Sequence, residues 1–230
     1  KKLQNEDIKN DKNRSKPWRF GHDIYVDHNF NEVGEWTILE NGDKIWRLGV
    51  KMANAQALSL YFSENVAIPE GGKLHAYNSN HSQYIGAYTS TTPGFQSMEM
   101  VEGELLTLEY FMPAGSTTLP VIEIENVAFY YRGVEDRIAM FREGYSVESQ
   151  LKTHQSCEVD VACSEITGWE TQRDAVVQYS FVTGGSGYVC SGSMINNTAN
   201  DCKPYFYTAN HCGEPTSNSN ITIHTFYFNY

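Results

Sequence analysis

The sequence predicts a mostly β protein: a β-sandwich followed by a smaller, cysteine-bearing β domain. Three observations lead there. Fifteen tyrosines and eleven phenylalanines, set among polar neighbours and Gly, Asn and Ser turns, suit pleated half-buried strands better than helices. Short strand-like runs recur through the first 133 residues with no helical period between them. All five cysteines, Cys157, Cys163, Cys190, Cys202 and Cys212, follow residue 156, which marks a second domain. A chain of 230 residues is long enough for two modest domains.

Residues 1–19 carry Lys1, Lys2, Lys9, Lys12, Arg14, Lys16 and Arg19 with few apolar partners. So little apolar surface does not offset the entropy of ordering, so a mobile leader is expected. The sandwich is expected over 20–133. Glu35–Glu40, Asn41-Gly42 and Asp43–Val50 read as strand, turn, strand, the tight turn requiring positive φ at both central residues. Further strands are expected at Ala57–Phe62, Lys73–Tyr77, Tyr84–Tyr88, Leu105–Tyr110 and Val121–Ile124, separated by Pro69-Glu70-Gly71-Gly72 and Pro113-Ala114-Gly115. Trp36, Trp46, Tyr61, Phe62, Tyr77, Tyr84 and Tyr88 could offer flat ring faces to a sugar, although packing is the commoner use of such rings. Residues 134–152 break the strand rhythm and read as a linker; the second domain covers 153–230.

Seventeen Lys+Arg against 28 Asp+Glu give a net charge of −11. Such a chain is poorly suited to a phosphate backbone or an anionic membrane surface, so neither is expected as a partner. No window approaches the roughly 18 to 20 apolar residues of a spanning helix. The first residues lack the apolar core of a signal peptide, and any export signal is expected to have been removed.

Clustered cysteines point to disulfides and an oxidising compartment, with an odd count leaving at least one unpaired within these residues. Zinc competes, since Cys and His are its ligands, but no C-x₂-C pair exists and Cys157-x₅-Cys163 does not suit a knuckle. The informative stretch is Val189-Cys190-Ser191-Gly192-Ser193-Met194-Ile195 followed by Tyr205-Phe206-Tyr207-Thr208-Ala209-Asn210-His211-Cys212-Gly213. A histidine stands directly before a cysteine. An imidazole that takes a proton from a hydroxyl must be held in one orientation, and a disulfide at its neighbour is one way to hold it. Thr183-Gly184-Gly185-Ser186-Gly187 looks superficially like a nucleophile loop but has the composition of a hairpin turn. His22, His28, His75, His81, His154 and His224 lack a comparable setting.

The Cys190–Ile195 and Thr208–Gly213 segments resemble the first barrel of chymotrypsin-like serine proteases. Cys157–Cys163, the Asn196–Asp201 turn and Phe228-Asn229-Tyr230 narrow the resemblance to the bacterial lysyl endopeptidases, over about residues 153–230, and the sandwich resembles the propeptide ahead of such domains. The resemblance implies a secreted, trypsin-like serine endopeptidase proenzyme that cuts after lysine, acting on protein and peptide substrates without a metal or organic cofactor. It implies His211 as general base and a Cys190–Cys212 bridge, with Cys157 and Cys163 paired to cysteines farther along and Ser193 a structural hydroxyl; Cys202 departs from the pattern. The triad's aspartate and serine and the oxyanion hole are expected beyond Tyr230, so residues 1–230 alone are expected to be inactive. Lys152-Thr153 is the expected activation bond, with Arg137 and Arg142 as alternatives, and the propeptide is expected to contact the protease part and cover its cleft. Two other readings stay open: a secreted adhesion or carbohydrate-binding module with a degenerate protease-like end, and export cargo held by secretion machinery.

Overall fold

The computed structural model describes residues 2–10, 16–92, 94–134, 164–213 and 223–228. Most of the 134–152 linker, with Arg137, Arg142 and Lys152, lies outside the described residues, as do Thr153, His154, Cys157 and Cys163. The protein is mostly β. Helix α1 (Lys2–Asn10) precedes nine strands: β1 (Trp18–Asn29), β2 (Glu35–Ile38), β3 (Lys44–Lys51), β4 (Ala57–Phe62), β5 (Lys73–Asn78), β6 (Tyr84–Tyr88), β7 (Val101–Glu102), β8 (Leu105–Met112) and β9 (Glu123–Tyr130). After a 3₁₀ turn at Ser164–Ile166 come α2 (Glu170–Asp174), β10 (Val176–Thr183), β11 (Ser186–Ile195), β12 (Tyr205–Thr208), α3 (Asn210–Gly213) and β13 (Thr225–Phe228).

A five-stranded sheet runs β2-β3-β8-β5-β6. Strand β8 alternates half-buried and buried residues along its length, the period of a strand with one face on a core. Leu106, Leu108 and Tyr110 of β8, Leu74 and Ala76 of β5 and Trp46 of β3 share one buried cluster with Leu58, Leu60 and Phe62 of β4 and Ile124 and Val127 of β9. The Trp46 indole donates to the Val33 carbonyl at 2.9 Å, and Gly34 (φ 80°) leaves room for the ring, since a Cβ there would lie 2.4 Å from Trp46 Nε1. The Asn41-Gly42 turn differs from its expected form. Five residues, not two, separate β2 from β3, and of the pair only Gly42 has positive φ, at 88°. The Asn41 side chain accepts from the Asp43 amide and donates to its carboxylate, so a side chain supplies part of the turn's closure.

The larger sheet runs β13-β10-β11-β1-β9-β4-β7, with β12 also on β11. Strands β1 and β13, the first and last among the described residues, therefore lie in one sheet, in which Trp18, Arg19 and Gly21 of β1 pair antiparallel with Val189, Tyr188 and Gly187 of β11. Gly21 also pairs with Tyr130 of β9, and a Cβ on it would meet the Tyr130 ring at 2.4 Å. Only glycine allows the three strands to meet there. The protein contains a sheet curled as half a barrel. A second buried cluster joins Phe20, Ala57, Tyr61, Ala128 and Tyr130 to Val182 of β10 and Tyr227 of β13. Strand β4 is buried at all six positions because Leu58, Leu60 and Phe62 face one cluster while Ala57 and Tyr61 face the other.

Residues 2–10 are helical, and Trp18 and Arg19 lie within β1, inside the span expected as a mobile leader. The docking is polar, so a count of apolar residues does not anticipate it. Asp7, only 1% exposed, accepts from Arg19 Nε at 2.7 Å and the Tyr131 hydroxyl at 2.8 Å and lies 3.5 Å from Arg132 Nε. Arg132 in turn donates to the Arg19 carbonyl at 2.9 Å and stacks 4.6 Å over the Trp18 ring. Burial, then the hydrogen bond to Asp7, push the Tyr131 hydroxyl up to about 12.

Candidate active site

Strands β10 and β11 form a hairpin in which Thr183 pairs with Ser186. Gly184 and Gly185, at φ 55° and 75°, make its two-residue turn, the backbone that such a connection requires. Strand β12 pairs with the far end of β11, from Gly192 opposite Thr208 to Ile195 opposite Tyr205. Gly192 admits β12 closely: a Cβ there would lie 2.4 Å from the Phe206 ring and 2.5 Å from the Tyr207 carbonyl. The chain leaves β12 and turns at once into α3, with the Cys212 amide donating to the Ala209 carbonyl at 3.0 Å.

That turn places His211 beside β11. Cys190 and Cys212 are joined in a disulfide spanning 22 residues, with their Cα atoms 6.2 Å apart. A ring nitrogen of His211 and both sulfurs all lie within 4.8 Å of one another. Because the sulfurs are bonded to each other, their closeness is that of a bridge and not of a thiolate zinc set. Cys212 is buried with Tyr179 and Phe181, against Cys190, Phe206 and Phe226. His224 stacks on Phe181 at 5.0 Å, so it belongs to this aromatic wall. Burial pushes the Tyr179 hydroxyl up, and that hydroxyl lies 3.2 Å from Thr208 Oγ1, which donates to the Ser191 carbonyl at 2.8 Å. Sulfur, aromatic packing and the Thr208 hydroxyl thus fix the turn, while the imidazole stays half-buried.

A histidine so held can accept a proton from a hydroxyl brought to its open edge. Among the described residues its ring makes no hydrogen bond or ion pair. The Ser193 hydroxyl is engaged elsewhere, with the Ala175 and Met194 carbonyls at 3.3 and 3.2 Å. Cys202, at φ 57°, is exposed and free.

Residues 151–230 match the family model described as lysyl endopeptidase, C-terminal domain. Over 210 residues the chain is 28% identical to the lysyl endopeptidase of Pseudomonas aeruginosa, an alignment covering 84% of this chain and 42% of that protein. This chain is similar to lysyl endopeptidases. It spans less than half the length of the curated relative it matches. The lysyl endopeptidase-like segment contains the bridge and His211, and the alignment also reaches back into the strands before it. No helix among the described residues is long and apolar enough to cross a membrane.

Of the aromatics weighed as a sugar platform, Trp46, Tyr61, Phe62 and Tyr77 are buried, whereas Trp36 and Tyr84 are open. The residues that sequence reasoning missed are Asp7, Arg19, Tyr131 and Arg132, which clamp the start of β1 where it joins the lysyl endopeptidase-like strands. The one local signal for them is the four-residue spacing of Leu3 and Asp7, which puts both on one helix face.

Proposed function

We propose that the chain is part of the proenzyme of a secreted serine endopeptidase that cuts after lysine. In this reading residues 153–230 begin the catalytic domain and the strands before 134 form a β-sandwich propeptide. The single observation that carries it is the bridged His211 turn within the segment that matches the lysyl endopeptidase family. His211 takes the proton of a serine hydroxyl supplied by sequence beyond Tyr230, an aspartate from the same region orients the ring, and an acyl-enzyme forms and is hydrolysed. Without that serine, residues 1–230 are inactive. The disulfide supports an oxidising compartment.

The shared sheet and the shared buried cluster support a propeptide that shapes and covers the half-barrel. Activation occurs at Lys152-Thr153, a bond the mature enzyme itself could cut. The test is labelling of the processed full-length protein with a serine-directed phosphonate, beside a His211→Ala variant. Labelling is expected in the native protein and lost in the variant; equal labelling of both removes His211 from its role. Amino-terminal sequencing of the mature protein should begin at Thr153, and a start within 20–130 would refute that cleavage site.

A further inference from the structure

The β1·β11 junction is a strand addition with a direction. Strand β11 runs from Ser186 to Ile195 and β1 lies antiparallel to it, so the chain enters the ladder at Trp18, opposite Val189, from the Cys190 end. Val189 is the residue before Cys190, whose sulfur lies within 4.8 Å of a His211 ring nitrogen. The two residues that lead into the ladder are Lys16 and Pro17. They precede the ladder on the side of Val189 that continues to Cys190, with the chain bending at Lys16. Lys16 is exposed, and among the described residues its ammonium has no partner.

We infer that Lys16-Pro17 is a built-in pseudosubstrate: a lysyl bond that strand β1 presents to the His211 site in a form the enzyme cannot readily cut. This deepens the proposed function and rests on it. Four features support the assignment. Main-chain pairing of an extended segment to an open sheet edge is a general mode of peptide recognition, and here β11 provides the edge. The residue before the proline is lysine, the side chain the proposed enzyme selects. Proline carries a ring carbon in place of the amide hydrogen and has a fixed φ. Cleavage would require the serine oxygen to bond the Lys16 carbonyl carbon, the C–N bond to break, and His211 to deliver its proton to the departing nitrogen before water frees the lysyl carboxylate. With Pro17 that nitrogen is a crowded ring amide. Finally, the ladder's first residues are fixed in place. Arg132 stacks over Trp18 and holds the Arg19 carbonyl, Asp7 holds the Arg19 side chain, and Gly133 (φ 72°) makes room for the Trp18 ring, which would lie 2.3 Å from a Cβ there. A strand fixed in register limits where Lys16, two residues before it, can lie.

The test uses the full-length precursor as native protein, Pro17→Ala, Lys16→Ala/Pro17→Ala and Lys16→Met, with mass spectrometry of the processed chains and phosphonate labelling of each. Pro17→Ala is expected to be cut between residues 16 and 17 at least about tenfold faster than native protein, the equivalent of about 1.4 kcal/mol in barrier. The double variant should not be cut there. Lys16→Met, which leaves the rest of the ladder intact, should raise hydrolysis of a small lysyl ester several-fold immediately after processing, while the severed propeptide is still bound. If native protein and Pro17→Ala process and label alike, yet residues 16 and 17 stay joined in both, the pseudosubstrate is refuted and the protease reading stands. The same holds if Lys16→Met leaves ester hydrolysis unchanged, a readout that serves even if Pro17→Ala fails to accumulate. If the native precursor neither processes nor labels, both readings fall together.

Discussion

Replacing Asp7 with alanine should release α1 while leaving the two-sheet core folded. The carboxylate is 1% exposed and accepts two short hydrogen bonds, at 2.7 Å from Arg19 and 2.8 Å from Tyr131. Hydrogen bonds to charged groups contribute about 1.5–3 kcal/mol each, and breaking a buried pair costs about 3–5 kcal/mol when the remaining charge stays dry. Here it need not stay dry. A nine-residue helix is marginal without docking, so α1 leaves and water reaches Arg19 and Arg132. The expected loss is then about 2–3 kcal/mol, capped by the free energy of docking. Asp7→Asn, which keeps an acceptor but no charge, should lose about half of that, each charge-assisted bond having roughly twice the strength of a neutral one. Hydrogen exchange is the direct assay. Amides of residues 5–10 should lose protection in Asp7→Ala, whereas those of β3 and β8 should not. Retained protection in α1, or an equal loss in β8, would refute the idea that this carboxylate is a local latch.

Four further outcomes follow from the same geometry. Replacing Cys190 and Cys212 with serine removes a crosslink across 22 residues, expected to cost about 3 kcal/mol by loop entropy and readable in denaturant unfolding under non-reducing conditions. Leu108→Ala, on the central strand of the smaller sheet and fully buried, should cost about 3–5 kcal/mol in the same assay. Gly34→Ala must accommodate φ 80° and a Cβ 2.4 Å from the Trp46 ring; a loss of more than about 2 kcal/mol is expected, with a change in tryptophan fluorescence. The Tyr131 hydroxyl, held at about 12, stays protonated in the folded protein after its unfolded counterpart ionises near 10. Stability from this group is complete below about pH 10 and is lost as pH rises toward about 12. Tyr131→Phe should therefore flatten the fall in melting temperature over that range, Tyr88, also near 12, accounting for part of what remains.

Where neighbouring residues decide the structure, the sequence is informative. Ala57–Phe62 and Tyr84–Tyr88 are strands with the expected limits, because apolar runs bounded by turn residues leave little else for the backbone to do. The His211-Cys212 pair is legible for another reason: a residue order that holds an imidazole beside a sulfur bridge survives in the chain as a short motif. The expected strand at Val121–Ile124 instead begins at Glu123 and runs to Tyr130. Its later residues Glu125, Asn126 and Val127 look like a surface segment until β1 and β4 are found on either side of it. Strand β1 was hidden for the same reason. Its many polar residues, among them Arg19, His22, Asp23 and His28, mask a strand held by β11 at its start and by β9 from Gly21 onward, and such pairing leaves no local signature.

That missing long-range pairing changes how the two halves of the chain relate. Composition separates them at the cysteines, whereas the larger sheet and the second buried cluster run across that boundary. Val182 and Tyr227 belong to the cysteine-bearing part by sequence, yet they are buried against Phe20, Ala57, Tyr61 and Tyr130. The Tyr61 and Tyr130 hydroxyls meet at 3.3 Å beneath that contact, and burial, then the field of Tyr130, push the Tyr61 hydroxyl well above its ordinary range. Cutting the chain between residues 134 and 164 therefore leaves this contact intact: the pieces still share a sheet and a core. Separation must expose that apolar surface and break the β1·β11 ladder, so chain cleavage and physical release are distinct events with separate free-energy costs. The Gly21–Gly187 pair lies in that ladder, against Tyr130 of the shared cluster. A side chain at Gly21 would have to displace Tyr130, which is fully buried in the shared cluster, so strain introduced at one glycine weakens the ladder and the core together.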